Sequence, residues 1–276
     1  MSVKPLNEKT ILITGASDGL GKQTALELAK SGAHLFLHGR NLEKTQLVAD
    51  ELVAQTGNDA IEVIIADFQS LKEVRGLAAE LMKRTSKLDG LINNAGIFMK
   101  KRQITEDGFE LTFVVNHMAP FLLTNLLLDL LKQSASARIV TVSSVGHKFV
   151  YLNPVDIQSK HFFWGWVNYC RSKLLNILFT FTLAQRLVGS QVVANCIHPG
   201  VIRNTNLTNT ALITWGMSIN EGAKSIVNLA LSSKFEGLSG KYFDKMKEGK
   251  TSLIAQNLKL QKKVWALSAE WCGLVQ

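Results

Sequence analysis

The chain alternates short, almost continuously apolar runs with longer segments of helical periodicity, and this alternation limits its fold more than any other feature. The runs Ile11-Leu12-Ile13, Val63-Ile64-Ile65 and Ile139-Val140-Thr141-Val142 are typical of parallel strands buried on both faces. We predict strands at about 9–14, 33–38, 61–66, 89–93, 137–143, 191–197 and 239–243. We predict helices at about 20–31, 42–56, 70–85, 105–132 with a break near Ala119-Pro120, 167–188, 221–232 and 252–272. This order indicates an α/β fold, a doubly wound parallel sheet of about seven strands with helices on both faces.

Length and composition indicate one globular unit. The chain has 276 residues, 46% of them hydrophobic, and only 4 prolines. No linker marks a boundary, so residues 1–276 are expected to form a single Rossmann domain. The cysteines number 3 and lack metal-ligand spacing, which indicates a reducing compartment, expected to be cytoplasmic, and no metal site. The start, Met1 to Pro5, leads almost directly into a strand, so we expect no signal peptide or membrane anchor.

The net charge of +9 is spread out, with its densest patches at 100–102, 241–250 and 259–263. A solvated basic surface is the simplest interpretation. Attraction of a phosphorylated cofactor or of an anionic membrane surface is the next, so peripheral membrane contact stays open. No nucleic-acid recognition motif accompanies the charge, and we expect no nucleic-acid partner.

A glycine-rich turn follows the first predicted strand and precedes a helix. Three glycines allow a tight turn and a close approach of backbone to a pyrophosphate, and the helix N-terminus offers free N–H groups. An ordinary β–α turn would gain little from three glycines. We therefore predict a dinucleotide site that includes Gly15, Ser17, Asp18, Gly19, Leu20 and Gly21.

The end of the second strand indicates which dinucleotide binds. An acidic residue there would bind the ribose 2′-hydroxyl of NAD, but the strand ends Leu37-His38-Gly39-Arg40-Asn41. A guanidinium suits a 2′-phosphate, so we predict NADP(H) with Arg40 as a ligand. Two features leave the choice of cofactor open. Asp18 lies in the glycine loop, where some NADP enzymes have a basic residue, and Arg40 could be a surface residue that opens the next helix.

Two further strand ends supply candidate cofactor contacts. Asp67 ends the third strand and could accept a hydrogen bond from the adenine amine, or could cap the helix that starts near Ser70. Small residues and amides after the fourth strand would let the chain pass close to the ribose; they are Asn94, Ala95 and Gly96.

Tyr169 and Lys173 form a Tyr-x-x-x-Lys pair within a predicted helix. Residues four apart share a helix face. A tyrosine hydroxyl has an unperturbed pKa near 10, too high for a base at neutral pH, and a nearby ammonium lowers that pKa. This spacing is common on helix surfaces, but the other motifs favour a catalytic pair that moves a proton during hydride transfer.

Two polar positions complete the candidate site. Val142-Ser143-Ser144 ends the fifth strand, and a serine hydroxyl there could hold a substrate oxygen on which charge develops. Ser144 is our choice, with Ser143 as the alternative. Asn116 lies in an apolar helical run, where its amide needs a partner; that partner could be structural or part of a water relay to Lys173.

These residues resemble the short-chain dehydrogenase/reductase superfamily over nearly the whole chain. The motifs that carry the resemblance are Thr14-Gly15-x3-Gly19-x-Gly21, Asp67, Asn93-Asn94-Ala95-Gly96, Asn116, Ser144, Tyr169 with Lys173, and Pro199-Gly200. Segments 104–110, 116–124 and 169–179 resemble the retinol-dehydrogenase-like branch, as does the long insert between Ser144 and Tyr169. That branch prefers NADP(H).

The resemblance implies a role for each site residue. Tyr169 would be the general acid/base, Lys173 would lower its pKa and bind the ribose, Ser144 would orient the carbonyl, and Asn116 would anchor a water relay. Pro199 and Gly200 would contact the cofactor. A homodimer or homotetramer would form through helices 105–132 and 167–188. The chain departs from the family after Gly200, where Asn204 and then Thr205 stand in place of the usual Thr or Ser. Many relatives carry an N-terminal anchor, which we do not expect here.

The substrate is indicated only by apolar residues. One group precedes Tyr169 (Phe149, Tyr151, Phe162, Phe163, Trp164 and Trp166), and a second follows Pro199 (Leu207, Leu212, Ile213, Trp215 and Met217). They would form an apolar pocket for a lipophilic aldehyde, ketone or alcohol, or would be core or dimer contacts. His147 and His161 have no required role. The C-terminal helix is expected to pack on the domain through Leu260, Val264, Leu267, Trp271 and Leu274, with a membrane-surface helix as the alternative.

The sequence thus predicts an NADP(H)-dependent oxidoreductase that interconverts a carbonyl and an alcohol with Tyr169 as general acid/base. One alternative is a non-catalytic dinucleotide-binding sensor or scaffold, which would not need the intact Ser144, Tyr169 and Lys173 set. Another is a different reaction of the superfamily, such as dehydration or epimerisation.

Overall fold

A sheet of eight strands forms the centre of the computed structural model, which describes residues 6–203, 210 and 216–274. Its strands are β1 Thr10–Ile13, β2 His34–Gly39, β3 Ile61–Ile65, β4 Gly90–Asn93, β5 Ala137–Val142, β6 Val192–His198, β7 Tyr242–Asp244 and β8 Lys247–Glu248. Their order is β3-β2-β1-β4-β5-β6-β7-β8. All neighbouring pairs are parallel except β7 and β8, which are antiparallel.

Helices cover both faces of the sheet. They are α1 Gly19–Ala29, α2 Leu42–Thr56, α3 Leu71–Arg84, α4 Leu111–Phe113, α5 Ala119–Leu126, α6 Leu128–Lys132, α7 Gly165–Arg186, α8 Ile219–Leu231 and α9 Leu258–Trp271. A π-helical turn, Val114–Met118, joins α4 to α5. Short 3-10 turns are formed by Leu6–Glu8, Val145–Phe149, Ser233–Phe235 and Leu253–Gln256.

Alternate residues of the strands enter two separate cores, as a sheet buried on both faces requires. Leu12 and Leu91 pack with residues of α3, α5, α7 and α9. Ile13 and Ile92 pack on the opposite face with residues of α1, α2 and α8. The predicted α/β class and doubly wound parallel sheet are therefore confirmed, with one additional short strand, β8, which pairs with β7.

The predicted helix at 105–132 is the element that differs most. It begins only at Leu111, because the Glu110 carboxylate accepts hydrogen bonds from the N–H groups of Thr112 and Phe113 at 3.0 and 2.7 Å. A π-helical turn at 114–118 directly precedes the expected break near Ala119-Pro120. Pro120 is the second residue of α5, which continues directly from this turn.

The C-terminal helix α9 packs on the domain, as the sequence indicates. Leu260 and Val264 are buried, Leu267, Trp271 and Leu274 pack against the core, and the three lysines of the helix are exposed. The Trp265 ring contacts Phe121 of α5 and Phe179 of α7 at centroid distances of 5.0 and 6.0 Å. Helix α9 thus covers part of the two helices through which the resemblance implies a dimer. Among the described residues, no helix combines the length and the apolar character needed to cross a membrane.

Candidate active site

The candidate residues converge because the parallel strands end at the same edge of the sheet. The glycine turn follows β1, Asn94 to Gly96 follow β4, and Ser143 and Ser144 follow β5. The N-terminal half of α7 brings Tyr169 and Lys173 to the same edge. Backbone bonds join these loops directly: Thr14 N–H donates to the Ile92 carbonyl at 3.0 Å, and Ser143 N–H donates to the Ile197 carbonyl at 2.7 Å.

The glycine turn is built so that no side chain could be added at two of its glycines. Gly15 has φ of +67°, a conformation that favours glycine, and a Cβ there would lie 2.9 Å from the Ala95 Cα. A Cβ on Gly21 would lie 2.0 Å from the Gly15 carbonyl oxygen. Because Gly21 has no side chain, the first turn of α1 can pack directly against the Gly15 carbonyl. We expect the backbone of the loop to stay accessible to a ligand.

Thr14 and Asn94 hold the glycine turn against the loop after β4. The Thr14 hydroxyl accepts hydrogen bonds from Asn94 N–H and Ala95 N–H at 3.0 and 3.1 Å. The Asn94 amide donates to the carbonyls of Thr14 and Gly15 at 2.8 and 3.2 Å. Asn94 and Ala95 consequently shape the floor of the predicted cofactor site.

His38 also supports the turn, and the sequence did not single it out. Its Nδ1 accepts a hydrogen bond from Gly15 N–H at 3.2 Å, and its Nε2 donates to the Ala66 carbonyl at 2.9 Å. Burial lowers the pKa of His38 to about 4, although its bond to Ala66 opposes this shift. The ring is therefore neutral at pH 7. A lone histidine in an apolar strand carries no sequence signal; the pairing of β1, β2 and β3 gives it this role.

Two residues expected to select the cofactor lie near the mouth of the turn. Asp18 caps α1 by accepting from Gly19 N–H at 2.7 Å, and Lys44 of α2 forms an ion pair with its other carboxylate oxygen at 2.7 Å. Lys44 thereby offsets the negative charge that made Asp18 a doubtful neighbour for a 2′-phosphate. Arg40 follows β2 and is exposed.

Asp67 does not cap the following helix. Its carboxylate accepts hydrogen bonds from the Gln69 backbone N–H at 3.1 Å and from the Gln69 side chain at 2.7 Å. The cap of α3 is Ser70, whose hydroxyl accepts from Glu73 N–H. The helix-cap interpretation of Asp67 is therefore wrong, and its proposed adenine contact stays a prediction.

Asn116 lies within the π-helical turn, completely buried. Its Oδ1 accepts from Ile97 N–H at 2.7 Å, and its Nδ2 donates to the Ile97 carbonyl at 3.0 Å and to the Ser172 hydroxyl at 2.9 Å. The amide therefore fixes the loop after Gly96 against α7. A π-helical turn frequently marks a functional position within a helix.

The structure distinguishes between the two serines after β5. Ser143 is buried, and its hydroxyl donates to the Lys173 carbonyl at 2.8 Å. The Ser144 hydroxyl accepts from Gly146 N–H at 3.1 Å, and it interacts with the Tyr169 phenol so as to lower the pKa of that group. Ser144 is thus the serine that faces the tyrosine, and Ser143 holds the backbone of α7.

Lys173 and Tyr169 are both buried, with exposed fractions of 3% and 7%. The Lys173 Nζ donates to the Val142 carbonyl at 3.1 Å and lies 5.6 Å from the centroid of the Tyr169 ring. Burial lowers the pKa of Lys173 to about 8.

The pKa of Tyr169 moves opposite to our expectation. Burial raises it, a nearby Cys170 adds to the rise, and only the hydrogen bond with Ser144 lowers it. The protein alone therefore keeps this phenol protonated at neutral pH. The expectation that Lys173 would lower the pKa did not account for the burial of Tyr169, which disfavours the charged phenolate.

Two aromatic rings that contact Tyr169 also line a cavity of about 390 Å³. It is lined by Phe98, Lys100, Trp164, Gly165 and Trp166. The Trp166 ring stacks on Tyr169 with centroids 5.9 Å apart, and the Phe98 edge meets the same ring at 6.1 Å. Sequence reasoning found the two tryptophans but missed Phe98 and Lys100, which precede the site by about 70 residues.

The other predicted pocket residues are placed differently. Phe149, Tyr151 and Phe162 are exposed to 73%, 70% and 69%, so they are not core residues, and none of them lines the cavity. After Pro199 and Gly200, which lie buried beyond β6, Met217 packs its sulfur against Gly200. Asn204, Thr205, Leu207, Leu212, Ile213 and Trp215 lie outside the described residues.

The insert between Ser144 and Tyr169 is anchored by a buried polar network. The Asn168 amide donates to the Glu110 carboxylate at 2.6 Å and accepts from the Ser159 hydroxyl at 3.0 Å. Arg171 donates to the same hydroxyl at 2.9 Å and to the Tyr151 carbonyl at 3.0 Å. The network joins the insert to the start of α4 and to α7. Its contact on α7 is Asn168, the residue before Tyr169.

The parallel sheet and the residues gathered at its carboxyl edge have the arrangement expected of a dinucleotide-binding fold. A family model for short chain dehydrogenases matches residues 9–213. The chain belongs to this family, as its motifs indicate.

Relatives and solved structures agree with this assignment. Retinol dehydrogenase 14 of Homo sapiens is 40% identical over 297 residues, which cover 98% of this chain and 88% of that protein. Retinol dehydrogenase 11 of Homo sapiens is 37% identical over 281 residues, covering 99% of this chain and 88% of that protein. The retinol-dehydrogenase-like branch is therefore confirmed.

Among solved structures, an uncharacterised protein from Mycobacterium paratuberculosis has a TM-score of 0.82 and 32% identity, and the match covers 99% of this chain and 96% of that one. A short chain dehydrogenase from Shigella flexneri, crystallised with NADP, has a TM-score of 0.72 and 26% identity, with coverage of 89% and 100%.

Proposed function

We propose that this protein is an NADP(H)-dependent reductase of lipophilic carbonyl compounds that can also run in the alcohol-oxidising direction. The observation that carries the proposal is the contact of the Tyr169 and Ser144 hydroxyls beside an aromatic cavity, with Lys173 one helical turn away. Tyr169 and Lys173 lie on helix α7 and Ser144 follows β5, and the fold brings them to one edge of the sheet.

The residues at the glycine turn fit a dinucleotide. Gly15 and Gly21 lack the side chains that would fill the turn, and Asn94 with Ala95 closes it from below. Ser17, Gly19 and Leu20 would supply the backbone next to the pyrophosphate, Asp67 would reach the adenine, and Gly96, Pro199 and Gly200 would lie along the ribose and nicotinamide. When bound, the reduced cofactor supplies the hydride.

The proposed preference for NADP(H) rests on charge. Arg40 is exposed beside the turn, and Lys44 balances Asp18 at 2.7 Å. A 2′-phosphate would meet a guanidinium and an ammonium rather than a bare carboxylate, which favours it electrostatically.

The protein's own groups would handle the proton. Because burial keeps the Tyr169 phenol protonated, it can donate its proton to the oxygen of a carbonyl as that oxygen becomes an alkoxide. Ser144 would orient the same oxygen. The Lys173 ammonium would favour the phenolate left behind and could bind the ribose, and Asn116 would hold the loop through which a water relay could restore the proton.

The cavity supports a lipophilic substrate. Four of its five lining residues are aromatic side chains or glycine, and Trp166 extends the wall onto Tyr169. A planar or branched hydrocarbon next to the carbonyl would fill such a space, whereas a strongly hydrated sugar would lose its water without gaining partners.

The homodimer or homotetramer stays part of the proposal, but helix α9 limits its surface. Trp265 packs on both α5 and α7. Two subunits that associate through these helices would have to use the parts of them that Trp265 does not cover. A cytoplasmic location also stays a prediction; the three cysteines are buried free thiols, which agrees with a reducing compartment.

Oxidation of NADPH and of NADH would be measured against aliphatic, aromatic and retinoid aldehydes and ketones, with Tyr169→Phe as the paired variant. We expect turnover with NADPH that the variant loses while it still binds NADPH. Tight NADPH binding without turnover on any carbonyl would favour the sensor, and a clear preference for NADH would refute the proposed role of Arg40. Loss of water from a hydroxyacyl compound would favour the dehydratase alternative.

A further inference from the structure

The backbone of Ser144 is held by a histidine to which the sequence assigned no role. The Ser144 carbonyl accepts a hydrogen bond from the Nδ1 of His147 at 2.6 Å and another from His147 N–H at 3.2 Å. The Ser144 hydroxyl meanwhile caps the same 3-10 turn through Gly146 N–H. The orientation of the serine toward Tyr169 therefore depends on the turn that His147 closes.

The second nitrogen of the same ring reaches the C-terminal part of the chain. His147 Nε2 accepts a hydrogen bond from Ser252 N–H at 3.3 Å. Ser252 leads into the 3-10 turn Leu253–Gln256, whose Ala255 carbonyl accepts from Gln261 of α9 at 2.9 Å. Gln261 in turn accepts from Gln185 of α7 at 3.1 Å.

The partners of the ring define its protonation. A carbonyl oxygen can only accept, so Nδ1 must carry a hydrogen; a backbone N–H can only donate, so Nε2 must have a free lone pair. Both conditions hold only for the neutral ring with its hydrogen on Nδ1. The ring is completely buried and meets Tyr242 of β7 edge-on at 5.0 Å.

We propose that His147 is a positioning residue for Ser144, and that it acts as a neutral ring that ties the catalytic serine to Ser252 in the C-terminal segment. This inference rests on the proposed function, since it assigns Ser144 a part in the reaction. His147 touches neither substrate nor cofactor; it fixes the backbone from which the Ser144 hydroxyl projects.

Acid should disable this arrangement. A second proton would place an N–H on Nε2 directly opposite Ser252 N–H, so the two donors would separate. The charged and titratable groups around the ring are Lys148 on its own turn, His198 on β6 and Tyr242 on β7, and Asp244 and Lys245 act on His198 in turn. Burial lowers the pKa of His147 and Lys148 lowers it further, whereas its bond to the Ser144 carbonyl raises it.

One test replaces the Ser252 N–H. Ser252 has φ of −64° and ψ of 154°, which the proline ring permits, so Ser252→Pro deletes the donor and places a ring carbon opposite His147 Nε2. Ser252→Ala is the matched control: it keeps the N–H and loses only a buried hydroxyl that has no hydrogen-bond partner. Imidazole ¹⁵N resonances of His147 report the tautomer and the pKa directly, without a substrate.

We expect His147 to carry its hydrogen on Nδ1 in the wild type and in Ser252→Ala. In Ser252→Pro its pKa should rise toward the usual value of about 6.5, and the acid limb of kcat should move to higher pH. A hydrogen on Nε2, or identical titrations of the two Ser252 variants, would overturn the proposal.

A second pair of variants tests the link to Ser144. His147→Phe should lower kcat by on the order of 10- to 100-fold and leave the KM for NADPH unchanged, and His147→Asn, whose amide can still reach the Ser144 carbonyl, should recover part of the loss. Wild-type kcat in His147→Phe would refute the inference alone. A wild-type protein that reduces no carbonyl would instead refute the proposed function. The ¹⁵N resonances of His147 need no substrate, so they would still test the tautomer and the pKa of the ring.

Discussion

At the scale of single residues, the account rests on which side chains face Tyr169. Ser144 interacts with the Tyr169 phenol and lowers its pKa, whereas the Ser143 hydroxyl donates to the Lys173 carbonyl. Neighbouring serines at a strand end point to opposite sides, so a sequence can identify the pair but not which serine faces the tyrosine. The structure makes that choice, and two substitutions can test it.

Ser144→Ala should lower kcat by about 10²- to 10³-fold, because it removes a group that holds the developing oxyanion. Ser143→Ala is its matched control and should keep a kcat near that of the wild type, with a loss of about 1 kcal/mol in the free energy of unfolding from its hydrogen bond. Steady-state kinetics and urea unfolding of both variants measure this. The reverse pattern would return the catalytic role to Ser143.

Arg40→Leu should raise the KM for NADPH by on the order of tenfold and leave the KM for NADH unchanged, because the lost contact is a hydrogen bond to a charged phosphate. Lys83→Leu removes the same charge from an exposed site on α3 and should change neither constant. Equal effects of Arg40→Leu on both cofactors would show that Arg40 does not bind the 2′-phosphate.

At the scale of the elements, the sequence predicted which helices and strands exist better than it predicted where they begin and end. The strands could be predicted because β-branched and aliphatic runs are unambiguous when both faces are buried. The start of α4 could not, because it is set by the buried Glu110 carboxylate, whose partner Asn168 lies 58 residues away. The π-helical turn around Asn116 was also missed, since local propensity does not separate it from an α-helix.

Helix α9 is an element whose role could be predicted only in part. Its apolar spacing indicates packing on the domain, but the spacing does not reveal that the covered surface belongs to α5 and α7. The aromatic contacts of Trp265 with Phe121 and Phe179 depend on the tertiary arrangement of three helices.

Trp265→Ala should lower the free energy of unfolding by about 3–5 kcal/mol, because it leaves a cavity between these helices. The molar mass of the variant in solution, measured by light scattering, should equal that of the wild type, so its oligomeric state is unchanged. Leu258→Ala changes a residue of the same helix that is 58% exposed and should cost under about 0.5 kcal/mol. If Trp265→Ala split an oligomer and kept its stability, the surface would instead be a subunit interface.

At the scale of the whole molecule, the fold buries several histidines in their neutral form. Burial lowers the pKa values of His38, His117 and His198 to about 4. These residues lie on β2, in the π-helical turn and on β6. Nothing in their sequence positions marks them as buried, because burial depends on the neighbouring strands and on the helix above.

The protein should lose stability as the pH falls from about 6.5 toward 4. The unfolded chain binds a proton at each of these histidines near pH 6.5, whereas the folded chain does so only near pH 4, so acid favours unfolding. Each fully buried ring could contribute on the order of 3 kcal/mol, present in full above pH 6.5. Urea midpoints across this range measure the slope, which His117→Asn should reduce and the exposed His161→Asn should not. A midpoint that stays constant down to pH 4.5 would contradict this expectation.

The sequence predicted most of the residues that the fold gathers at the candidate site. It did not predict the protonation behaviour on which their mechanism depends. The motifs identified Ser144, Tyr169, Lys173 and Asn116, and the fold brings all four together. The sequence did not predict that the pKa of Tyr169 rises, because that rise comes from burial, which is a property of the packed molecule.

The central claim is that a hydride passes between the cofactor and a carbonyl carbon while Tyr169 supplies the proton. NADPH deuterated at the transferable C4 position, incubated with a reducible carbonyl, tests this in one measurement by mass spectrometry of the product. The account predicts an alcohol that gains one deuterium on its carbinol carbon with the wild type, and no such product with Tyr169→Phe. An alcohol without the label, or equal labelling by the variant, would contradict it.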